Sequence, residues 1–276
     1  MDGISSALIN KTGIIPFLES LAYAPDQVDH SEGKSPDSSQ ELTLDTEYGQ
    51  LHGIHLKSFK RKALILHFHG SGYNITKHSG HVDWLPAIGY DVVMFDYPGY
   101  GKSEGVPTRT SVERSSSEWL QYFAKKHHNL PIFLFGQSLG GAIALSSYIQ
   151  NSPPKNIRGI IIDSTFSSYS RMARLKLKRK GLLYKYLSEF LPRFLSTDYD
   201  PITTISKINL PVLMLHSKTD SVVPFEEACL LLKESASEID FWVQVGPDHT
   251  GVFRPGFQDY REKLDRWILS KLVDPA

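Results

Sequence analysis

The chain has 276 residues, 41% hydrophobic and 22% charged, the make-up of an ordinary folded domain. Its 30 Lys and Arg balance 30 Asp and Glu, so no global charge points to nucleic acid or an acidic polymer. The single cysteine, Cys229, excludes an internal disulfide, and no apolar run approaches the ~20 residues of a membrane span.

In chain order, residues 4–23 mix apolar residues with Ser, Asn and Lys and predict a short helix packed on the body. No charged start and apolar core of a secretory signal precede it, so the expectation is a cytoplasmic protein. Residues 30–40 are rich in turn formers and read as a loop. Residues 1–40 thus form an N-terminal extension to a domain spanning 41–276. A two-residue alternation at 41–46 and 53–57 predicts half-exposed strands, a hairpin turning near Tyr48 and Gly49. Short continuous apolar runs follow at 63–66, 92–95, 132–135, 160–162, 212–215 and 241–243, the pattern of strands buried on both faces of a parallel sheet. Helix-like stretches lie between them at 112–126, 140–150, 225–233 and 258–272. This predicts an α/β fold, in which sites gather beyond the carboxyl ends of the strands. Cys229, in the apolar run 228–232, reads as a buried helix position. The gap between 162 and 212 is too long for one crossover, so about 165–198 reads as a helical insertion, a lid over the strand ends.

Gly136-Gln137-Ser138-Leu139-Gly140 sits between a strand run and a helical stretch. That is the context of a nucleophile elbow, with Ser138 on a strained turn and glycines removing side chains that would collide with it. The turn also sets Ser138 at the positive end of a helix, beside amides aimed at a developing oxyanion. A serine hydroxyl needs a base. His249 follows a strand run near the chain end, after the nucleophile and an acid, the order such elbows use. The acid must follow a strand and precede His249; Asp220 does so, ahead of Asp163 at the end of run 160–162 and Asp248 beside the base. The oxyanion hole needs two N–H donors: the amide of Leu139, and one from 69–74, with Ser71 the first choice and Gly72 the second. The glycines of 96–105 fail the phosphate-loop spacing, which leaves that loop a structural part of the site's rim.

Together His69-Gly70, the segment 96–103, Gly136 to Gly141, Asp220 to Pro224 and His249 resemble the α/β-hydrolase superfamily from about Leu42 onward. Within it the chain is similar to the α/β-hydrolase-domain serine hydrolases that include protein depalmitoylases and membrane-associated hydrolases. The resemblance implies a mostly parallel central sheet with helices on both faces, a small helical lid, no metal or cofactor, and a small-molecule or acylated substrate. The chain departs at Asp248-His249-Thr250, where a Gly-His-Asn-type run is usual, and shows no cysteine cluster for lipid anchoring.

The expected activity is cleavage of a carboxylic ester or thioester through a Ser138-His249-Asp220 triad and an acyl-enzyme. A serine peptidase and a catalytically silent binding scaffold are the alternatives. The basic run from Arg171 to Tyr186 has two readings. It is a solvated helix face, or its Lys and Arg meet anionic membrane while Leu175, Leu177, Leu182, Leu183 and Tyr184 meet acyl chains.

Overall fold

Eight strands carry the molecule: β1 (Ser39–Thr46), β2 (Gly49–Leu56), β3 (Ala63–Phe68), β4 (Tyr90–Phe95), β5 (Ile132–Gln137), β6 (Ile157–Asp163), β7 (Val212–Ser217) and β8 (Ile239–Gln244). The structure is a computed structural model, and it describes residues 13–31, 39–246, 248–253 and 256–272. The strands form one sheet in the order β8-β7-β6-β5-β3-β4-β2-β1. β1 pairs antiparallel with β2, and β2 antiparallel with β4. Every pairing from β4 to β8 is parallel.

The continuous apolar runs mark β3, β4, β5 and β7, in which every residue is buried. Successive side chains point to opposite faces. Leu64, Leu66 and Phe68 enter one core, while Ala63 and Ile65 enter the other. Each such side chain withdrawn from water contributes about 1.5–3 kcal/mol, so both faces need cover. The helices supply it. Helices α2 (Arg109–Lys126) and α3 (Leu139–Gln150) pack on the first face, and α8 (Gln258–Ser270) covers the second with Leu264, Trp267 and Ile268. Thr108 caps α2, its hydroxyl accepting the Ser111 amide at 3.1 Å.

The insertion holds α4 (Tyr169–Arg179), α5 (Leu182–Leu187) and a 3-10 turn at Leu191–Phe194. The chain returns to the sheet through α6 (Pro201–Ile205), and α7 (Phe225–Glu234) joins β7 to β8. Before the sheet, α1 (Ile14–Ser20) packs against the 191–194 turn.

Three expectations change. The N-terminal helix is seen at 14–20, and residues 4–12 lie outside the described residues. The polar loop ends earlier than residue 40, because Ser39 and Gln40 already pair with Leu56 and His55. Cys229 is exposed. The phase of α7 turns Glu227, Ala228 and Leu231 inward, and position 229 falls on the outer side.

Candidate active site

Ser138 occupies the corner between β5 and α3. Its φ of 53° and ψ of −114° lie outside the regions open to ordinary L-residues, a strain on the order of 1–3 kcal/mol. The Ser138 amide donates to the Asp163 carbonyl at 2.8 Å, and the Gly141 amide donates to the Ser138 carbonyl at 3.1 Å. The corner is therefore held from both sides.

The glycines around it answer to a different crowding from the one the sequence suggested. A Cβ on Gly136 would strike the backbone of Gly140 and Gly141, and one on Gly140 would run into the carbonyls of Phe68 and His69. The close approach is of strand and helix backbones, not of side chains to the serine. Gly141 is required by Thr165, whose hydroxyl takes up the space of a Cβ.

His249 follows β8, and its Nδ1 lies 2.8 Å from Asp220 Oδ2. Asp220 follows β7, with its carboxylate fully buried. Its Oδ1 accepts the amides of Val222 at 2.9 Å and Val223 at 2.8 Å. Burial alone would push this carboxyl up. The His249 hydrogen bond and charge, with the two amides, outweigh it and hold Asp220 below the usual carboxylate range. An ionised carboxylate only accepts, so Nδ1–H of His249 is the donor and Nε2 keeps the free lone pair. His216, which sequence reasoning passed over, stands behind the pair: its Nε2 donates to the Val223 carbonyl at 2.9 Å.

The competing acids are turned elsewhere. Asp163 is buried at the end of β6 and accepts Gln244 Nε2 at 2.8 Å and Ser164 Oγ at 3.2 Å. Burial raises its carboxyl to about 6. Asp248 accepts the Ser221 amide at 2.7 Å and the Ser221 hydroxyl at 2.6 Å. The loop ends of β5, β6 and β8 are stitched together, since the Thr250 amide donates to Ser164 Oγ at 3.4 Å.

Leu139 opens α3, so its amide has no carbonyl one turn earlier to bond. Ser71 lines the same cavity as Ser138 and Leu139. His69 Nδ1 donates to the Gly70 carbonyl at 2.8 Å. In a trans peptide this fixes the Ser71 N–H in the opposite direction. Gly72 is instead part of a short parallel bridge to Ala24–Pro25. The rim loop 96–105 supports this turn: the Tyr97 and Tyr100 hydroxyls donate to the carbonyls of His69 and Ser71 at 2.9 and 2.8 Å.

The cavity in front of Ser138 is mainly apolar, walled by Leu18, Leu21, Phe166, Met172 and Leu195. Helix α1 supplies one side and the insertion the other. Three charged groups break the apolar lining: Glu19, Arg109 and Lys176. Arg109 is buried, pairs with Glu113 at 3.1 Å, stacks on Tyr169 at 4.2 Å, and donates to the carbonyls of Ser196 and Asp198. It clamps the end of the insertion to α2. No local pattern in the sequence marks it. Lys176 Nζ donates to the Leu21 carbonyl at 2.6 Å, and burial pulls its ammonium below the usual lysine range.

Among the described residues no group of His, Cys, Asp and Glu is placed to hold a metal ion, and no helix is long and apolar enough to cross a membrane.

Residues 60–206 match the family described as serine aminopeptidase, S33. The uncharacterized protein YfhR of Salmonella typhi is 30% identical over 271 residues, covering 91% of this chain and 87% of that one. A lysophosphatidylserine lipase of Mus musculus, ABHD12, is 29% identical over 211 residues, 69% of this chain and 50% of the relative. Among solved structures, the esterase Pf2001 of Pyrococcus furiosus superposes with a TM-score of 0.73 at 17% identity, covering 91% of this chain and all of that one.

Proposed function

Because the chain belongs to the serine aminopeptidase S33 family of α/β-hydrolases, we propose that it cleaves a carboxylic ester or thioester with an apolar acyl chain, with Ser138 as the nucleophile. His249 Nε2 takes the Ser138 proton as the hydroxyl adds to the acyl carbon. Asp220 holds the ring and offsets the imidazolium charge. The amides of Leu139 and Ser71 bind the oxyanion of the tetrahedral intermediate. His249 then returns the proton to the departing alcohol or thiol. Water repeats the two steps on the acyl-enzyme and regenerates the serine.

The observation that carries this reading is the strained Ser138 corner opening directly onto an apolar cavity. The His249–Asp220 pair at 2.8 Å supports it. An apolar lining of this kind suits an acyl chain, and the lipase and esterase among the similar proteins point the same way. An aminopeptidase would need a free carboxylate for the substrate's ammonium group. Glu19 is the acid in the cavity, but its Oε2 accepts the Arg109 amide at 3.3 Å and two cations share the lining. With Glu19 so engaged, the described lining residues leave no free carboxylate for an ammonium group.

A fluorophosphonate probe should label the wild type and leave Ser138→Ala unlabelled. Hydrolysis of a p-nitrophenyl ester and acyl-thioester series should drop on the order of 10³-fold or more in the same variant. A folded Ser138→Ala protein with undiminished turnover would end this reading. An unlabelled wild type would mark a silent scaffold.

A further inference from the structure

We propose that the outer face of the insertion, residues 182–194, docks on an anionic membrane surface and presents the mouth of the Ser138 cavity to it. The proposal extends the hydrolase reading by naming where its substrate is met.

The apolar residues of the insertion divide into two sets. Leu177 is fully buried in the core and cannot meet lipid as the sequence suggested, while Leu175 and Tyr184 are half-buried against that core. Leu182, Leu183, Tyr186 and Phe190 are 71%, 69%, 68% and 61% exposed. Helix α5 buries none of its own residues. Turn-type hydrogen bonds, Ser188 to Tyr184 and Phe190 to Leu187, carry its winding onward. Residues 182, 186 and 190 therefore recur at helical spacing and share one side. Phe194, 42% exposed, continues the patch. Apolar side chains contiguous on a surface cost solubility unless something covers them.

Charge selects the occupant. Residues 169–199 hold eight Lys and Arg against two Asp and Glu, in a chain whose total is zero. Several of the eight are spoken for: Arg171 by Glu227 at 2.8 Å, Lys178 by Glu189 at 3.0 Å, and Lys176 by the Leu21 carbonyl. Lys180 and Lys185 are exposed and carry no ion pair among the described residues. They flank Leu182 and Leu183. Exposed apolar side chains ringed by free cations suit an interfacial helix on anionic lipid. The face also connects to the site. Phe194 faces solvent, and the next residue, Leu195, lines the cavity. An acyl chain leaving the lipid surface at Phe194 meets the apolar wall one residue later.

Co-sedimentation of the full chain with phosphatidylcholine vesicles, with and without phosphatidylserine, tests this without any turnover. Binding on the order of tenfold tighter to the anionic vesicles is expected, fading at high salt. Leu182→Asp/Leu183→Asp and, separately, Lys180→Glu/Lys185→Glu should each weaken it on the order of tenfold or more while hydrolysis of a soluble butyrate ester stays unchanged. Ser138→Ala should bind as the wild type does; a wild type that binds vesicles but hydrolyses no ester would sink the catalytic reading and leave this one standing. Equal binding to neutral and anionic vesicles, or variants that bind like the wild type, would overturn the docking face. So would a lipid-free dimer that Leu182→Asp/Leu183→Asp disperses, because the face would then belong to a second copy.

Discussion

Three carboxylates were candidates for one role, and their surroundings separate them. Asp220 is ionised and bonded to His249, while Asp163 holds its proton to about 6 and faces Gln244 and Ser164. Asp220→Asn keeps the shape but offers the imidazole the wrong hydrogen-bond partner, and an ester turnover assay should show a loss on the order of 10⁴. Asp163→Asn keeps an oxygen for Gln244 and should cost less than tenfold in the same assay, an order-of-magnitude expectation for a group that does not orient the base. The reverse ranking would reassign the acid. Ser138, Asp220 and His249 could be singled out as candidates in the chain because each follows a strand at a place that local pattern reveals. Arg109 and Lys176 were not. The carbonyls Arg109 binds are 87 and 89 residues away, and the carbonyl Lys176 binds is 155 away. Such meetings are made by tertiary packing and leave no trace in spacing.

Among the elements, β3 to β7 were legible because burial on both faces writes a continuous apolar run, whereas β8, expected to be buried likewise, is an edge strand whose residues are mostly half-buried. The insertion was legible only as extra length. Its helices are 11 and 6 residues long, too short for the apolar pattern to fix which side turns inward. Leu177 and Leu182 therefore looked alike in sequence, yet the first is fully buried and the second 71% exposed. The same shortness misled the reading of Cys229. What anchors the insertion is the Arg109 cluster. Burial pushes the Glu113 carboxyl up to about 7 despite its arginine partner. Arg109→Met should remove the pair, the two carbonyl contacts and the Tyr169 stack together. Breaking one side of a buried pair costs about 3–5 kcal/mol, and a urea titration should show a loss near the lower figure because Glu113 can take a proton. KM for long-chain esters should rise more than KM for butyrate, since Tyr169 and Leu195 wall the cavity. A variant with wild-type urea midpoint would remove Arg109 from this role.

For the whole molecule, two buried sets of titrating groups pull stability in opposite directions with pH. Burial, then the charge of His78, lowers His67 to about 3 and His69 well below the usual range. The fold refuses protons that the open chain accepts below 6.5, so this contribution is present above that pH and lost as pH falls. Asp163 and Glu113 keep protons to about 6 and about 7, where the open chain loses them at 3.8 and 4.5. Their contribution is present at low pH and lost as pH rises through those values. Between pH 4 and 6.5 the two effects oppose, and the wild type should show a shallow stability profile. Asp163→Asn removes one side of the balance. Relative to the wild type it should lose about 2 kcal/mol on acidification from about pH 6 to about pH 4. Urea midpoints across that range measure it, and parallel profiles for the two proteins would mean that Asp163 is ionised in the fold.

The φ values at Ser138, Ser164 and Thr250 are 53°, 56° and 52°, a cluster of left-handed turns in residues that dislike them, all at the corner where the strands end. Glycine adopts such angles freely. Ser138→Gly and Ser138→Ala should be equally dead as enzymes yet differ in heat resistance, the glycine protein melting higher by the equivalent of about 1 kcal/mol after glycine's own entropy is subtracted. The gap between those two melting temperatures would measure how much heat tolerance the living enzyme forgoes to keep one hydroxyl aimed. It would also name the residue at which selection for thermostability alone should first erase activity.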